Sequence, residues 1–275
     1  MPLRFDAIII GTGQAGPSLA AQLAGSGRKV AIIERGRFGG TCVNTGCIPT
    51  KTLVASAYAA HMTRRAADYG VVIDGSINVD MKRVKSRMEE VSGRSRHNVE
   101  SWLKGLANCT VYQGHARFES ASSMRVNGEV LEAPWIFINA GGRALVPAMP
   151  GLDQARFLTN SSMMEVDYLP DHLIIVGGSY VGLEFAQMYR RFGAQVTIVE
   201  KGARLIGRED EDVSHSANSN RWSDGDRALR SAAGPEILNR YSRIARTRFA
   251  AGRDQQRLSH AWKCGHLAVS TTSAR

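Results

Sequence analysis

A short, mostly apolar run at residues 5–10 ends at a glycine, and a second apolar run follows at residues 29–33. Both have the length and continuity of strands buried on two faces. Between them residues 16–25 are rich in Ala and Leu and predict a helix, so the chain opens with a β-α-β unit of about 30 residues. Residues 52–67 are Ala-rich and predict a second helix, and residues 81–106 a long charged one with a break near Ser92-Gly93. Residues 109–118 and 124–131 predict strands joined by a turn, with Asn127-Gly128 as a hairpin signal, and residues 135–139 a further strand. Ala140-Gly141-Gly142 and a Pro-containing stretch up to residue 151 then mark a domain boundary. A second β-α-β pattern follows: strand 173–176, turn 177–182, helix 183–192, strand 195–199. Beyond about Val213 neither period persists, and only residues 236–249 could form a helix.

The two β-α-β turns carry the first candidate chemistry. In Gly11-Thr12-Gly13-Gln14-Ala15-Gly16, Gly11 suits a tight turn, Gly13 a close approach of backbone to a pyrophosphate, and Gly16 the packing of helix on strand. The helix start then offers unsatisfied N–H groups to phosphate oxygens. Glu34 ends the second strand, where a carboxylate binds ribose hydroxyls, with Arg35 beside it. The second turn reads Gly177-Gly178-Ser179-Tyr180-Val181-Gly182, and Glu200 closes its second strand. Ser179 replaces the middle glycine and is small enough for phosphate approach. Glu200 favours a free 2′-hydroxyl, hence NAD(H) over NADP(H), although Lys201 and Arg204 lie close in sequence.

The third motif is Gly39-Gly40-Thr41-Cys42-Val43-Asn44-Thr45-Gly46-Cys47-Ile48-Pro49-Thr50-Lys51. Residues five apart on a regular helix cannot meet the Cα separation of about 4.4–6.8 Å that a disulfide needs. Asn44-Thr45-Gly46 tolerates a distorted backbone, which lets the pair close at the start of a helix whose dipole favours a thiolate. A metal site would need two more ligands, and neither Cys109 nor Cys264 has helpful spacing, so no metal is expected. Two buried structural cysteines are the alternative at this point.

Composition narrows the classes. At 275 residues, 43% of them hydrophobic, the chain can bury the cores of two domains. No apolar run approaches the ~18 residues of a membrane span, and four cysteines are too few for a secreted disulfide scaffold. A cytoplasmic protein is expected. The net charge of +10 sits mostly after Val213, where eleven basic residues face four acidic ones. Basic residues scattered along a tail do not make the basic face that a nucleic-acid site needs, so no nucleic-acid partner is expected.

Taken together, the three motifs resemble the pyridine nucleotide-disulfide oxidoreductases, which include dihydrolipoamide dehydrogenase, glutathione reductase and mercuric reductase. The resemblance runs from about Phe5 to Val213 and is most specific between Gly39 and Lys51. It implies an α/β fold with two Rossmann-like dinucleotide-binding units, one for FAD and one for NAD(P). The implied domains are residues 1–150 for FAD with the redox disulfide and residues 151–213 for an incomplete NAD(P) unit. It further implies that Cys42 exchanges with substrate and Cys47 faces the flavin. Lys51 would lie near the flavin's reactive nitrogen, with Glu184 as its ion-pair partner, and Tyr180 would cover the nicotinamide pocket. Gly40 and Thr41 would belong to the cofactor-binding set. His115 and Ala116 would touch its adenine, and Ala140 and Gly141 stand where the family usually has Ala-Thr. The implied activity passes electrons from NAD(P)H through FAD to the Cys42–Cys47 disulfide and on to a small-molecule or metal-ion acceptor.

The chain departs from the family after Val213. The expected second FAD-contacting segment and the homodimerisation domain are not legible, and residues 214–275 are expected to be an aberrant, disordered tail such as a reading-frame shift near Ser214 would leave. The alternative reading is therefore a non-catalytic, dinucleotide-binding fragment of such an enzyme.

Overall fold

The computed structural model describes residues 1–149, 152, 155–200 and 202–214, and the backbone of 230–233 and 266–269. The chain packs as two compact units, one of residues 1–52 and 87–142, the other of residues 53–86 and 143–275.

The first unit is built on a four-stranded parallel sheet. β2 (Ala7–Ile10) pairs with β3 (Val30–Glu34) on one side and β8 (Trp135–Ile138) on the other, and β4 (Cys109–Gln113) extends the sheet beyond β3. The register runs Ala7↔Val30 to Ile10↔Ile33. The central strands read as unbroken apolar runs because both faces are covered. On one face Ile9, Val30 and Ile32 pack with Ala20 and Ala24 of α1 (Ala15–Gly25) and Leu103 of α4 (Met81–Lys104). On the other, Ile8, Ala31 and Ile33 meet Met124, Val126 and Leu131. Those last residues belong to a second sheet, ordered β1 (Leu3–Arg4), β7 (Glu129–Glu132), β6 (Ser123–Val126), β5 (Arg117–Phe118). Its β6–β7 turn carries Asn127 at φ 50° and Gly128 at φ 86°, the two positive values a tight hairpin turn requires.

The other unit holds a parallel sheet in the order β12 (Arg230–Ala233), β11 (Gln195–Glu200), β10 (His172–Val176), β13 (His266–Val269), β9 (Phe157–Thr159). Helix α5 (Tyr180–Phe192) covers it through buried Phe185, Met188, Tyr189 and Phe192. The turn of this β-α-β repeats the geometry of the first. Gly177 N donates to Val199 O at 2.8 Å as Gly11 N donates to Ile33 O at 2.7 Å.

Several expectations are corrected. The strand read at 109–118 is two strands, because Gly114–Ala116 leaves the sheet, and a Cβ on Gly114 would lie 2.2 Å from Asn127 Oδ1. Helix α4 runs unbroken through Ser92-Gly93, since buried Met88, Ser92 and Leu103 anchor it on both sides of that dipeptide. The tail contributes strands at 230–233 and 266–269 where no strand was legible. The helix expected at 236–249 lies outside the described residues. None of the helices in the described residues is long and apolar enough to cross a membrane.

Ile32 is fully buried and Tyr69 is 63% exposed. Ile32→Ala should therefore lower unfolding free energy by about 3 kcal/mol in urea titrations, and Tyr69→Ala by less than ~0.5 kcal/mol. Equal effects at the two positions would contradict this core.

Candidate active site: a dithiol beside a dinucleotide cradle

The β2–α1 turn is possible only with glycine at two of its positions. Gly11 has φ 102°, and a Cβ there would lie 2.2 Å from Asn139 O. A Cβ on Gly16 would lie 2.1 Å from Gly11 O, so the helix start closes onto the turn. Thr12, fully buried, ties this turn to its surroundings. Its N–H and its hydroxyl both donate to Glu34 Oε2, at 3.0 and 2.6 Å, and its Oγ1 accepts the N–H of Gly39 at 3.1 Å. Glu34 Oε1 accepts the Gly36 N–H at 2.8 Å. The carboxylate is thus aimed by backbone donors at the end of β3, with Arg35 exposed beside it.

The cysteine segment lies directly on that turn. Gly40 has φ 60°, and a Cβ there would stand 2.6 Å from Gly13 Cα. Gly40 opens the short helix α2 (Gly40–Asn44), which contains Thr41 and Cys42, and Cys47 opens α3 (Cys47–Arg64). Asn44 secures the intervening turn: its Nδ2 donates to Phe38 O at 2.8 Å and Gly40 O at 2.9 Å, and its Oδ1 accepts Arg96 Nε of α4 at 2.9 Å. Cys42 and Cys47 are free thiols in hydrogen-bonding contact. Burial of Cys42, then the hydrogen bond and charge of Cys47, push the Cys42 thiol above its ordinary pKa, while a backbone hydrogen bond from Cys47 works the other way. Cys47 is exposed and Cys42 half-buried.

A cavity of about 510 Å³ opens along this turn. It is within the usual range for a small-molecule or cofactor site. Of the residues singled out from the sequence, its wall contains Gly11, Gly13, Gln14, Glu34, Arg35, Gly40, Thr41, Cys42, His115, Ala116, Ala140 and Gly141. Ala15 and Gly16 begin α1 just behind the wall. Cys47 and Lys51 are exposed in the first turns of α3 and are not part of the described wall. The donor set suits a dinucleotide: glycine N–H groups at a helix start for a pyrophosphate, and an oriented carboxylate for a ribose.

In the other unit Gly177 has φ 106°, and Glu200 reproduces Glu34. Its Oε2 accepts Gly178 N at 2.6 Å and its Oε1 accepts Gly202 N at 2.8 Å. Ser179 is the N-cap of α5, Tyr180 is 70% exposed at its first position, Val181 is half-buried, and Gly182 is buried. Glu184 is half-buried on α5. Arg204 pairs with Glu211 at 3.7 Å, and Lys201 lies outside the described residues. Among the described residues no cluster of three or more His, Cys, Asp and Glu side chains could hold a metal.

Sequence reasoning missed Thr12, Asn44, Arg96 and Asn139. Thr12 and Asn44 lie between the glycines and cysteines that set the motif spacing, and Arg96 reads as one more charge on a charged helix. Asn139, whose Nδ2 lies 3.4 Å from Gly11 O and backs Gly13, directly precedes the Ala140 that was singled out.

A doubled β-α-β unit, each with a glycine turn and a carboxylate closing its second strand, is the construction of a Rossmann-type dinucleotide protein. The dithiol narrows that class. Residues 5–223 match the family model described as pyridine nucleotide-disulphide oxidoreductase, and the chain belongs to that family. It is 37% identical over 218 residues to the probable pyridine nucleotide-disulfide oxidoreductase RclA of Escherichia coli, covering 77% of this chain and 45% of that protein. It is 34% identical over 217 residues to dihydrolipoyl dehydrogenase of Acholeplasma laidlawii, covering 78% and 64%. It is 32% identical over 212 residues to mercuric reductase of Bacillus cereus, covering 77% and 33%. The solved HOCl-induced flavoprotein disulfide reductase RclA from Escherichia coli superposes with a TM-score of 0.70 at 34% identity, covering 83% of this chain and 48% of that one. The chain therefore spans between a third and two thirds of the length of these curated relatives.

The raised Cys42 pKa has a direct readout. A thiol reacts as thiolate, so a raised pKa moves reactivity to higher pH. Alkylation of Cys42 by iodoacetamide should still be accelerating above about pH 9. A rate that levels off by about pH 8 would contradict the packing at Cys42.

Proposed function

We propose that this chain carries the flavin- and nicotinamide-binding parts of an oxidoreductase that passes electrons from NAD(P)H to a Cys42–Cys47 disulfide and then to an acceptor. One observation carries the reading: the turn holding both cysteines rests on the glycine loop of the cradle, Gly40 against Gly13, with Cys42 in the cavity wall.

Bound in that cavity, FAD would accept hydride from the nicotinamide and pass two electrons onward. The chain's own residues do the rest. The turn from Gly11 to Gly16 holds the pyrophosphate against the start of α1, and Glu34 takes the ribose hydroxyls. By the resemblance His115 and Ala116 would touch the adenine, and Ala140 and Gly141 line the same cavity. The disulfide takes up two electrons and two protons and opens to two thiols. The family resemblance gives the flavin-facing place to Cys47 and the exchange with acceptor to Cys42. Lys51, in the first turns of the helix that Cys47 opens, would stabilise negative charge developing beside the sulfurs, and Glu184 keeps the supporting role the resemblance gives it. Tyr180 would cover the nicotinamide.

Glu200 favours NADH: an aimed carboxylate accepts ribose hydroxyls and repels a 2′-phosphate, and the nearby cation Arg204 is engaged by Glu211. For the acceptor, the relatives point to disulfides and thiophilic metal ions. One is named for mercury, others for a dihydrolipoyl group, and RclA is described as a disulfide reductase and was also solved as a Cu(II) complex. A quinone acceptor is a further possibility of the same relay. A cytoplasmic setting completes the reading.

Two experiments test it. Anaerobic NADH at two or more equivalents, one to open the disulfide and one to reduce the flavin, should bleach the FAD-loaded chain and raise its titratable thiols by two per chain. Cys42→Ser and Cys47→Ser should each keep flavin reduction while lowering disulfide-acceptor reduction at least ~100-fold. Bleaching with no new thiols would leave a simple flavin oxidase. FAD should also slow alkylation of Cys47, and protection of Cys42 alone would reverse the two roles. Second, Glu200→Gln should reduce the preference for NADH over NADPH by about tenfold, roughly 1.4 kcal/mol; an unchanged ratio would place the discrimination elsewhere.

A further inference from the structure

Helix α4 lies outside the three motifs, yet two of its arginines grip the cysteine segment. Arg96 Nε donates to Asn44 Oδ1 at 2.9 Å, and Asn44 sits between the two cysteines. Arg87, about two and a half turns earlier, donates from Nη1 to Thr52 O at 3.0 Å, in the helix that Cys47 begins. Asn44 transmits the first grip. Its amide donates to Phe38 O and Gly40 O, so one side chain joins α4, the glycine segment before Cys42 and the turn before Cys47. The turn leaves little slack: a Cβ on Gly46 would lie 2.9 Å from Thr41 O. Arg96 is half-buried, and its hydrogen bond to a neutral amide aligns that amide for its two carbonyl acceptors.

We propose that Arg96, acting through Asn44, is a positioning residue that sets the redox poise of the Cys42–Cys47 pair by holding the turn in the conformation in which the sulfurs meet. This deepens the proposed function and rests on it only in taking the pair as the redox centre. The physical reason is effective concentration. Closing the disulfide requires both sulfurs in a narrow geometry, and a turn already held there gives up little conformational freedom on closure. Freeing Asn44 widens the ensemble of the dithiol and leaves the disulfide easier to reduce.

The test needs no flavin. The full chain is equilibrated in glutathione buffers. One glutathione disulfide is reduced to two glutathione thiols, while Cys42 and Cys47 each lose a proton and join. The oxidised fraction is read by alkylation and mass spectrometry. Arg96→Met should shift the equilibrium about tenfold toward the dithiol, roughly 30 mV. Arg96→Lys, which keeps a donor, should recover part of that shift. In the double variant with Asn44→Ala, Arg96→Met should add nothing to Asn44→Ala alone, because the arginine acts through the amide. An Arg96→Met chain with unchanged helical circular dichroism and an equilibrium within about twofold of the parent overturns the proposal. So do additive effects in the double variant. If Arg96→Met loses its helical signal, Asn44→Ser removes the same acceptor from the other side, and a folded Asn44→Ser chain with an equilibrium within about twofold of the parent overturns the proposal. A parent chain that forms no Cys42–Cys47 disulfide at any glutathione ratio would instead defeat the proposed function.

Discussion

The contact on which the rest depends is between two backbones. Gly40 approaches Gly13 so closely that no side chain fits, and Gly40 holds a positive φ to do so. This contact brings the cysteine turn onto the glycine turn between β2 and α1. Thr12 makes the approach specific, because its hydroxyl donates to Glu34 and accepts the amide of Gly39. One buried hydroxyl therefore binds together the glycine turn, Glu34 and the start of the cysteine segment. Each partner is a buried or half-buried polar group, and losing the hydroxyl would remove one hydrogen bond from Glu34 and one from the Gly39 amide.

The same β-α-β construction occurs twice, with the same spacing. Thr12 to Glu34 and Gly178 to Glu200 both span 22 residues, and in each case a backbone N–H of the turn donates to the acid that closes the second strand. The two copies differ at the hub. The first has a hydroxyl there, through which the cysteine segment is attached. The second has Gly178 at the corresponding place, where a Cβ would lie 2.4 Å from Leu205 Cδ2.

Much of this was legible in the sequence because glycines at a turn have steric tasks that nothing else performs. Gly11, Gly16 and Gly177 stand where their spacing predicts, and the apolar runs of β2, β3, β10 and β11 are the strands they predict. What was not legible depends on tertiary contacts. Thr12 and Asn44 look like spacers until their partners from Glu34 and Arg96 arrive. The interruption of the strand at Gly114 reflects its packing against Asn127, which lies in a different hairpin. The continuity of α4 through Ser92-Gly93 is decided by burial on either side, which outweighs the weak local preference. Arg230–Ala233 and His266–Val269 lack an apolar period of their own and become strands only through the sheet they join.

If the glycine contact is what places sulfur beside flavin, a crystal structure of the chain with FAD tests it most directly. Electron density should run through the cavity with the pyrophosphate at the start of α1 and the isoalloxazine ring against the Cys42–Cys47 pair. FAD bound elsewhere, or a ring remote from both sulfurs with Gly40 still on Gly13, would contradict the account.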